Sequence, residues 1–137
     1  SLQLRATGFL QLNSPNTIYY GALTSGSDDR LKFNETPLTD VIDQMKLLNP
    51  VSYTKIISVD QDPAVDGFPE TGVVAQEVAA IPGLESLVSS QGTEVAADGT
   101  PILSVNYNGL FCHGLQAIKE LISRVETLEA RLAAANL

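Results

Sequence analysis

Hydrophobic and polar positions change rhythm twice along this chain. Near the N-terminus Leu2, Leu4 and Ala6 alternate with polar residues, and Leu10 and Leu12 do so again, the period-two pattern of a half-buried strand. Asn13-Ser14-Pro15-Asn16 signals a turn, and Thr17-Ile18-Tyr19-Tyr20 returns to β-prone residues. Residues 1–26 are therefore predicted to be β. Two or three short strands do not make a stable unit. The segment reads as the end of a larger β structure, and the chain, which begins at Ser1 without Met, as a piece of something longer.

Residues 34–108 read as a compact α+β region. Thr36-Pro37 offers a helix start with proline in the first turn, and Thr39 a second cap. Leu38, Val41, Ile42, Met45 and Leu48 then recur at helical spacing until Asn49-Pro50 stops the helix. Val51 to Val59 reads as a strand. Asp60 to Thr71, with two prolines, one glycine and four acids, reads as a loop. Gly72 to Ile81 reads as a short buried helix, or a strand followed by a helix, ended by Pro82-Gly83. Thr93 to Tyr107 reads as a hairpin turning at Asp98-Gly99.

The third rhythm, over residues 107–137, is helical. With Phe111 at heptad position a, Ile118, Val125 and Leu132 also fall at a. Tyr107, Gly114, Leu121, Leu128 and Ala135 fall at d. Of these only Gly114 is neither apolar nor aromatic, so the stretch predicts a coiled-coil seam, with Arg124 at g and Glu129 at e. Leu110, Leu115 and Ile122 widen the stripe toward its N-terminal end and predict more than one partner face there. The alternative is an amphipathic helix folded onto its own domain. The seam residues do not by themselves select three strands; Ile or Val at a with Leu at d leans toward two. The predicted division is a β segment over 1–26, an α+β body over 27–108 and a C-terminal helix over 109–137.

Composition narrows the function. The 137 residues suit one domain with appended segments. A formal charge of −8 argues against nucleic acid or an anionic membrane as partner. One cysteine excludes an internal disulfide, and Cys112 is expected to pack as a small hydrophobe. No apolar run is long enough to span a bilayer, and no leader pattern opens the chain. The single His and single Cys are adjacent, and neighbours on a helix do not share a face. Asp60, Asp62, Asp66 and Glu70 do not follow a calcium-loop pattern, and no glycine-rich loop could cradle a phosphate. No metal or cofactor is expected. A serine triad would need His113, which lies in the helix and is read as a surface or interface residue.

What remains is Gly26-Ser27-Asp28-Asp29-Arg30-Leu31-Lys32. A serine hydroxyl becomes a nucleophile with a base beside it, and a neutral lysine amine can be that base. Lysine is neutral only when desolvated or close to another cation, and Arg30 is such a cation nearby in sequence. Residues five apart lie on different sides of a helix and on opposite faces of a strand. Ser27 and Lys32 therefore meet only if the intervening residues turn the chain, or if the lysine comes from another subunit. Gly26 tolerates strained conformations, and strain at the Gly26–Ser27 bond would favour attack on that bond's own carbonyl. The competing reading is a polar turn with an exposed lysine.

Motif order favours the first reading. Ser27-Asp28-Asp29-Arg30-Leu31-Lys32 is followed by Leu48-Asn49-Pro50-Val51-Ser52-Tyr53, by Gly72-Val73-Val74-Ala75-Gln76-Glu77-Val78, and by Leu103-Ser104-Val105-Asn106-Tyr107-Asn108-Gly109-Leu110. Ala117-Ile118-Lys119-Glu120-Leu121 and the heptad helix close the series. This order resembles the intramolecular chaperone domain of the peptidase S74 family, found at the C-terminus of bacteriophage tailspikes, tail fibres and neck appendages. A related domain occurs in myelin-regulatory-type transcription factors. The resemblance spans about residues 27–137.

The resemblance implies an α+β domain with an N-terminal β-stalk remnant and a long C-terminal coiled-coil helix, in an intertwined parallel homotrimer. It implies that the domain gathers three chains, assists folding of the upstream fibre, and then releases itself by cutting between Gly26 and Ser27. Ser27 would be the nucleophile and Lys32 the general base of a single-turnover peptidase, with Asp28 and Arg30 in support. Phe111, Ile118, Leu121, Val125, Leu128 and Leu132 would form the trimer interface. The implied partners are two identical chains and the upstream stalk, with no nucleic acid and no membrane. The implied setting is the host cytoplasm during virion assembly, with the chaperone part absent from the mature particle. The alternative is a non-cleaving assembly module retained at the fibre tip.

Overall fold

In the computed structural model, which describes residues 1–90 and 95–136, the first α-helix is α1 (Ile42–Leu47). It begins later than Pro37 or Thr39 would start it. Asp40 takes a left-handed backbone conformation, φ 56°, which breaks any continuation from Pro37. Val41 at the N-cap has no side-chain cap of its own. Its buried N–H donates instead to the Glu120 carboxylate, at 3.1 and 3.3 Å, from 79 residues away. No local pattern could signal such a cap.

β1 (Val51–Lys55) ends before Val59 and pairs with β2 (Phe68–Gly72), which lies in the stretch expected to be a loop. The pairing is antiparallel, from Val51 opposite Gly72 to Lys55 opposite Phe68. Pro69 hid this strand, but a two-stranded sheet leaves each strand an open edge where proline is tolerated. Between the two, α2 (Pro63–Asp66) is a single turn capped by Asp62, whose carboxylate accepts from Ala64 N–H at 2.9 Å. In Gly72 to Ile81 only Gly72 belongs to a strand, as the end of β2, and α3 (Ala75–Ala79) follows after Val73-Val74.

The predicted hairpin is narrower than expected. Ala96 N–H donates to Thr100 O at 2.7 Å and Gly99 N–H to Ala96 O at 2.9 Å, with Gly99 at φ 84°. This is a three-residue loop that needs glycine at its left-handed position. Val95 bridges Pro101 beyond it, while Thr93 and Glu94 of the prediction lie outside the described residues. β4 (Ser104–Val105) does not extend the hairpin but pairs with β3 (Val88–Ser89). α4 (Tyr107–Ala134) then runs for 28 residues from an Asn106 cap, whose side chain accepts from Gly109 N–H at 2.9 Å.

No strand forms in residues 1–26, and every one of them is exposed. The alternating pattern is present, but strands need partners to satisfy their backbone and cover their apolar face, and this segment has none in a single chain.

The chain divides into two units. One holds the described residues of 1–34, 50–72 and 90–104, and the other those of 35–49, 73–89 and 105–137. The second unit carries the core. Val78, Ile81, Leu84 and Leu87 are buried together, with Met45, Leu48, Val73, Val88 and Leu110 packed against them. Val41, Ile42 and Ala117 form a second cluster that also touches Met45. The first turn of α4 approaches this core so closely that a Cβ at Gly109 would lie 2.5 Å from Leu87 Cδ2.

α4 uses its faces unequally. Leu110, His113, Ala117 and Glu120, spaced three, four and three apart, form one stripe. Leu110 packs on the first cluster, Ala117 lies in the second, and Glu120 caps α1. His113, expected at a surface or interface, is buried on the same stripe, and Cys112, expected to be packed, is exposed. The heptad seam is a different stripe, and it is not consumed by the chain's own core. Phe111 is 65 % exposed and Ile118, Leu121, Val125, Leu128 and Leu132 lie between 49 and 55 %. From Leu121 to Asn136 every residue is exposed.

Candidate functional site

The site is built on one turn. Asp28 sits in extended backbone, and its side chain caps a 3₁₀ turn over Asp29–Leu31. Asp28 Oδ1 accepts from Arg30 N–H at 2.8 Å, and Asp caps are favoured because the carboxylate satisfies an otherwise unpaired N–H. Leu31 N–H donates to Asp28 O at 3.0 Å and Lys32 N–H to Asp29 O at 3.1 Å. The chain is thereby reversed enough that Lys32 Nζ donates to Ser27 Oγ at 2.6 Å. Of the two ways Ser27 and Lys32 could meet, the structure shows the turn within one chain.

Arg30 does not face Lys32 as a free cation. Its guanidinium forks onto the Asp28 carboxylate, Nε to Oδ1 and Nη2 to Oδ2, each at 2.9 Å. The Arg30 side chain first, and the Arg30 N–H second, hold the Asp28 carboxyl below the usual carboxylate range. The side-chain hydrogen bonds to Asp28 push the guanidinium upward. The positive charge expected to keep Lys32 neutral is thus matched by a negative one beside it.

Gly26 departs from expectation as well. It is not among the glycines with positive φ, and an added Cβ would meet only Leu31 Cδ1, at an ordinary 3.8 Å. The Gly26–Ser27 bond therefore shows none of the backbone strain expected to drive attack. Ser27 and Lys32 are both exposed, and the apolar neighbours of the lysine, Leu31 and Phe33, are 68 and 80 % exposed.

The Gly72 to Val78 stretch is tied to the start of α4 through Val73. Tyr107, placed by its spacing at a d position, has its hydroxyl on Val73, accepting from the N–H at 3.0 Å and donating to the carbonyl at 3.4 Å. Sequence reasoning missed this contact and the Glu120 cap, because both join residues remote along the chain. In the hairpin, Tyr53 OH donates to Glu70, and Lys55 Nζ lies 3.2 Å from the same carboxylate. The tyrosine hydrogen bond first, with Lys55 adding to it, holds the Glu70 carboxyl below its usual range. Among the described residues no group of three or more His, Cys, Asp or Glu could hold a metal ion, and no helix is long and apolar enough to cross a membrane.

Residues 27–89 match the family model Peptidase_S74, described as the chaperone of endosialidase. The match begins at Ser27 itself and takes in the Ser27–Lys32 turn, α1, the β1–β2 hairpin and α3. Residues 90–137, with the Leu103 to Leu110 element and the heptads of α4, lie beyond the matched stretch. By this match the segment from Ser27 to Ser89 is similar to the peptidase S74 family, the chaperones of endosialidase.

Proposed function

We propose that this chain is a C-terminal intramolecular chaperone that assembles three copies of a phage fibre or tailspike, promotes folding of the upstream β-stalk, and frees itself by cutting between Gly26 and Ser27. The observation that carries this reading is the 2.6 Å contact between Lys32 Nζ and Ser27 Oγ at the first residue of the family match. In the reaction, a neutral Lys32 amine takes the Ser27 hydroxyl proton as Oγ bonds to the Gly26 carbonyl carbon. The C–N bond breaks, and the proton passes to the departing Ser27 nitrogen, which becomes an amine. The resulting ester of Gly26 on Ser27 Oγ is opened by water, leaving a Gly26 carboxylate and a restored hydroxyl. Desolvation is what makes a lysine a base. Packing of a neighbouring chain over exposed Leu31 and Phe33 would supply it, so cutting would follow assembly.

Assembly itself rests on α4. Its seam residues stay half exposed while a different stripe packs on the core, which leaves an apolar face for identical helices. Intertwined β-stalks depend on non-local contacts and on register, so they fold slowly. A trimer formed first raises the local concentration of the three chains and aligns their ends. Removing it afterwards closes the return path and leaves a kinetically held fibre. The second reading, a non-cleaving assembly module kept at the fibre tip, draws on the exposure of Lys32 in a single chain.

Intact mass under denaturing conditions separates the two. The parent chain is expected to yield fragments 1–26 and 27–137, while Ser27→Ala and Lys32→Ala stay whole and still form trimers. A folded parent trimer that remains uncut after long incubation would sink the cleavage reading in favour of the retained module.

A further inference from the structure

The Asp28 carboxylate makes three hydrogen bonds to one residue, accepting from the Arg30 backbone N–H at 2.8 Å, from Nε at 2.9 Å and from Nη2 at 2.9 Å. The first is a cap and the other two are a charge-assisted fork. The turn they close is one 3₁₀ turn, a type that gains no cooperative support from further turns. Packing does not hold it either, because every residue from Gly26 to Asn34 is exposed. Yet this turn is what lets residues five apart in sequence touch, which neither helix nor strand would allow.

We propose that Asp28 is a positioning residue for self-cleavage: by clamping both the backbone and the guanidinium of Arg30, it holds the turn that keeps Lys32 Nζ on Ser27 Oγ, without itself touching the reacting atoms. The inference rests on the Ser27–Lys32 reading above and deepens it. It gives the carboxylate and the arginine one shared task, and it separates their contributions. Removing the arginine side chain loses the fork but leaves the cap, whereas removing the carboxylate loses both. An amide at position 28 keeps an oxygen for the Arg30 N–H but gives up the charge and the second acceptor, on which Nη2 sits.

The test follows the cleaved fraction over time by denaturing intact mass for the full chain and for Asp28→Ala, Asp28→Asn, Arg30→Ala and Ser27→Ala. Sedimentation and thermal unfolding are measured on the same samples. Asp28→Ala is expected to slow cleavage roughly tenfold or more, the scale of loss when a reacting pair is misplaced. Asp28→Asn and Arg30→Ala are expected to fall between it and the parent, with oligomer size and unfolding temperature unchanged throughout. Cleavage of Asp28→Ala at the parent's rate overturns the inference. So does an Asp28→Asn rate no better than the alanine's, or a slowing that tracks loss of the oligomer or of thermal stability. A parent that never cuts is a different pattern: it defeats the Ser27–Lys32 reading and removes the reaction this clamp would serve.

Discussion

A lysine on a serine can act as a donor or as a base, and the two roles answer differently to substitution. Arginine can still donate to Ser27 Oγ, but it does not give up its proton in proteins. Lys32→Arg is therefore expected to keep the chain folded and uncut, as judged by intact mass, whereas a donor role would leave cutting in place. Gly26 gives a second contrast. With no positive φ and no close neighbour for a Cβ, Gly26→Ala is expected to cleave within about threefold of the parent, since glycine's conformational freedom is not in use there. A block in that variant would show that the reacting conformation differs from the one described. The Ser27 and Lys32 pairing was legible in the sequence as two residue types that could do chemistry together. The engagement of Arg30 by Asp28 was not, because sequence proximity does not say which of several nearby charges will pair.

Among the elements, the second unit depends on two contacts that reach across the chain. The Glu120 carboxylate caps the buried Val41 N–H. Glu120→Ala is expected to lower unfolding stability by about 1–3 kcal/mol, the cost of an unsatisfied buried donor whose partner was charged. Gly109→Ala is expected to cost about 1–3 kcal/mol by driving a Cβ into Leu87, since a packed core resists added volume. Denaturant unfolding of each variant measures both. The β1–β2 hairpin carries a pH dependence. Glu70, held below its usual range by Tyr53 and then Lys55, has a lower pKa folded than unfolded. Its contribution is therefore present above about pH 4.3, the unfolded carboxyl value, and is lost as pH falls through the lower folded value. Tyr53→Phe is expected to flatten that acid-side loss in thermal unfolding followed from pH 7 to 3. β2 itself escaped the sequence pattern because Pro69 and Glu70 mark a loop by composition. Pairing with β1 at an open edge overrides that preference.

For the whole molecule the question is what covers α4. Its a and d positions stay half exposed from Phe111 to Leu132, so a charge there would meet its own kind at the centre of the proposed self-association seam. If the proposed trimer forms along this face, Leu121→Asp with Leu128→Asp is expected to leave a monomer in sedimentation while keeping the far-ultraviolet helical signal of the second unit in place. The same variant is expected to stop cutting, because the proposed cover over Lys32 would be lost with the neighbouring chains. A monomer that still cuts would show that one chain completes the site alone.

Some features follow from local physics, and these the sequence by itself determined. The heptad repeat dictates a long helix with an apolar seam, because its period matches the turn of the helix. Asp98-Gly99 dictates a reversal, since glycine alone takes that left-handed position without cost. The Ser27 to Lys32 stretch puts a serine and a lysine within one short polar turn. Tertiary structure decided the rest, each time through a partner distant in the chain. It placed the start of α1 at Glu120's carboxylate, gave β1 a strand rich in loop residues, and turned His113 inward on a stripe separate from the seam. Residues 1–26 show the same rule in reverse: their alternation predicts strands, yet none forms in the single chain, because a strand exists only where another backbone meets its hydrogen bonds.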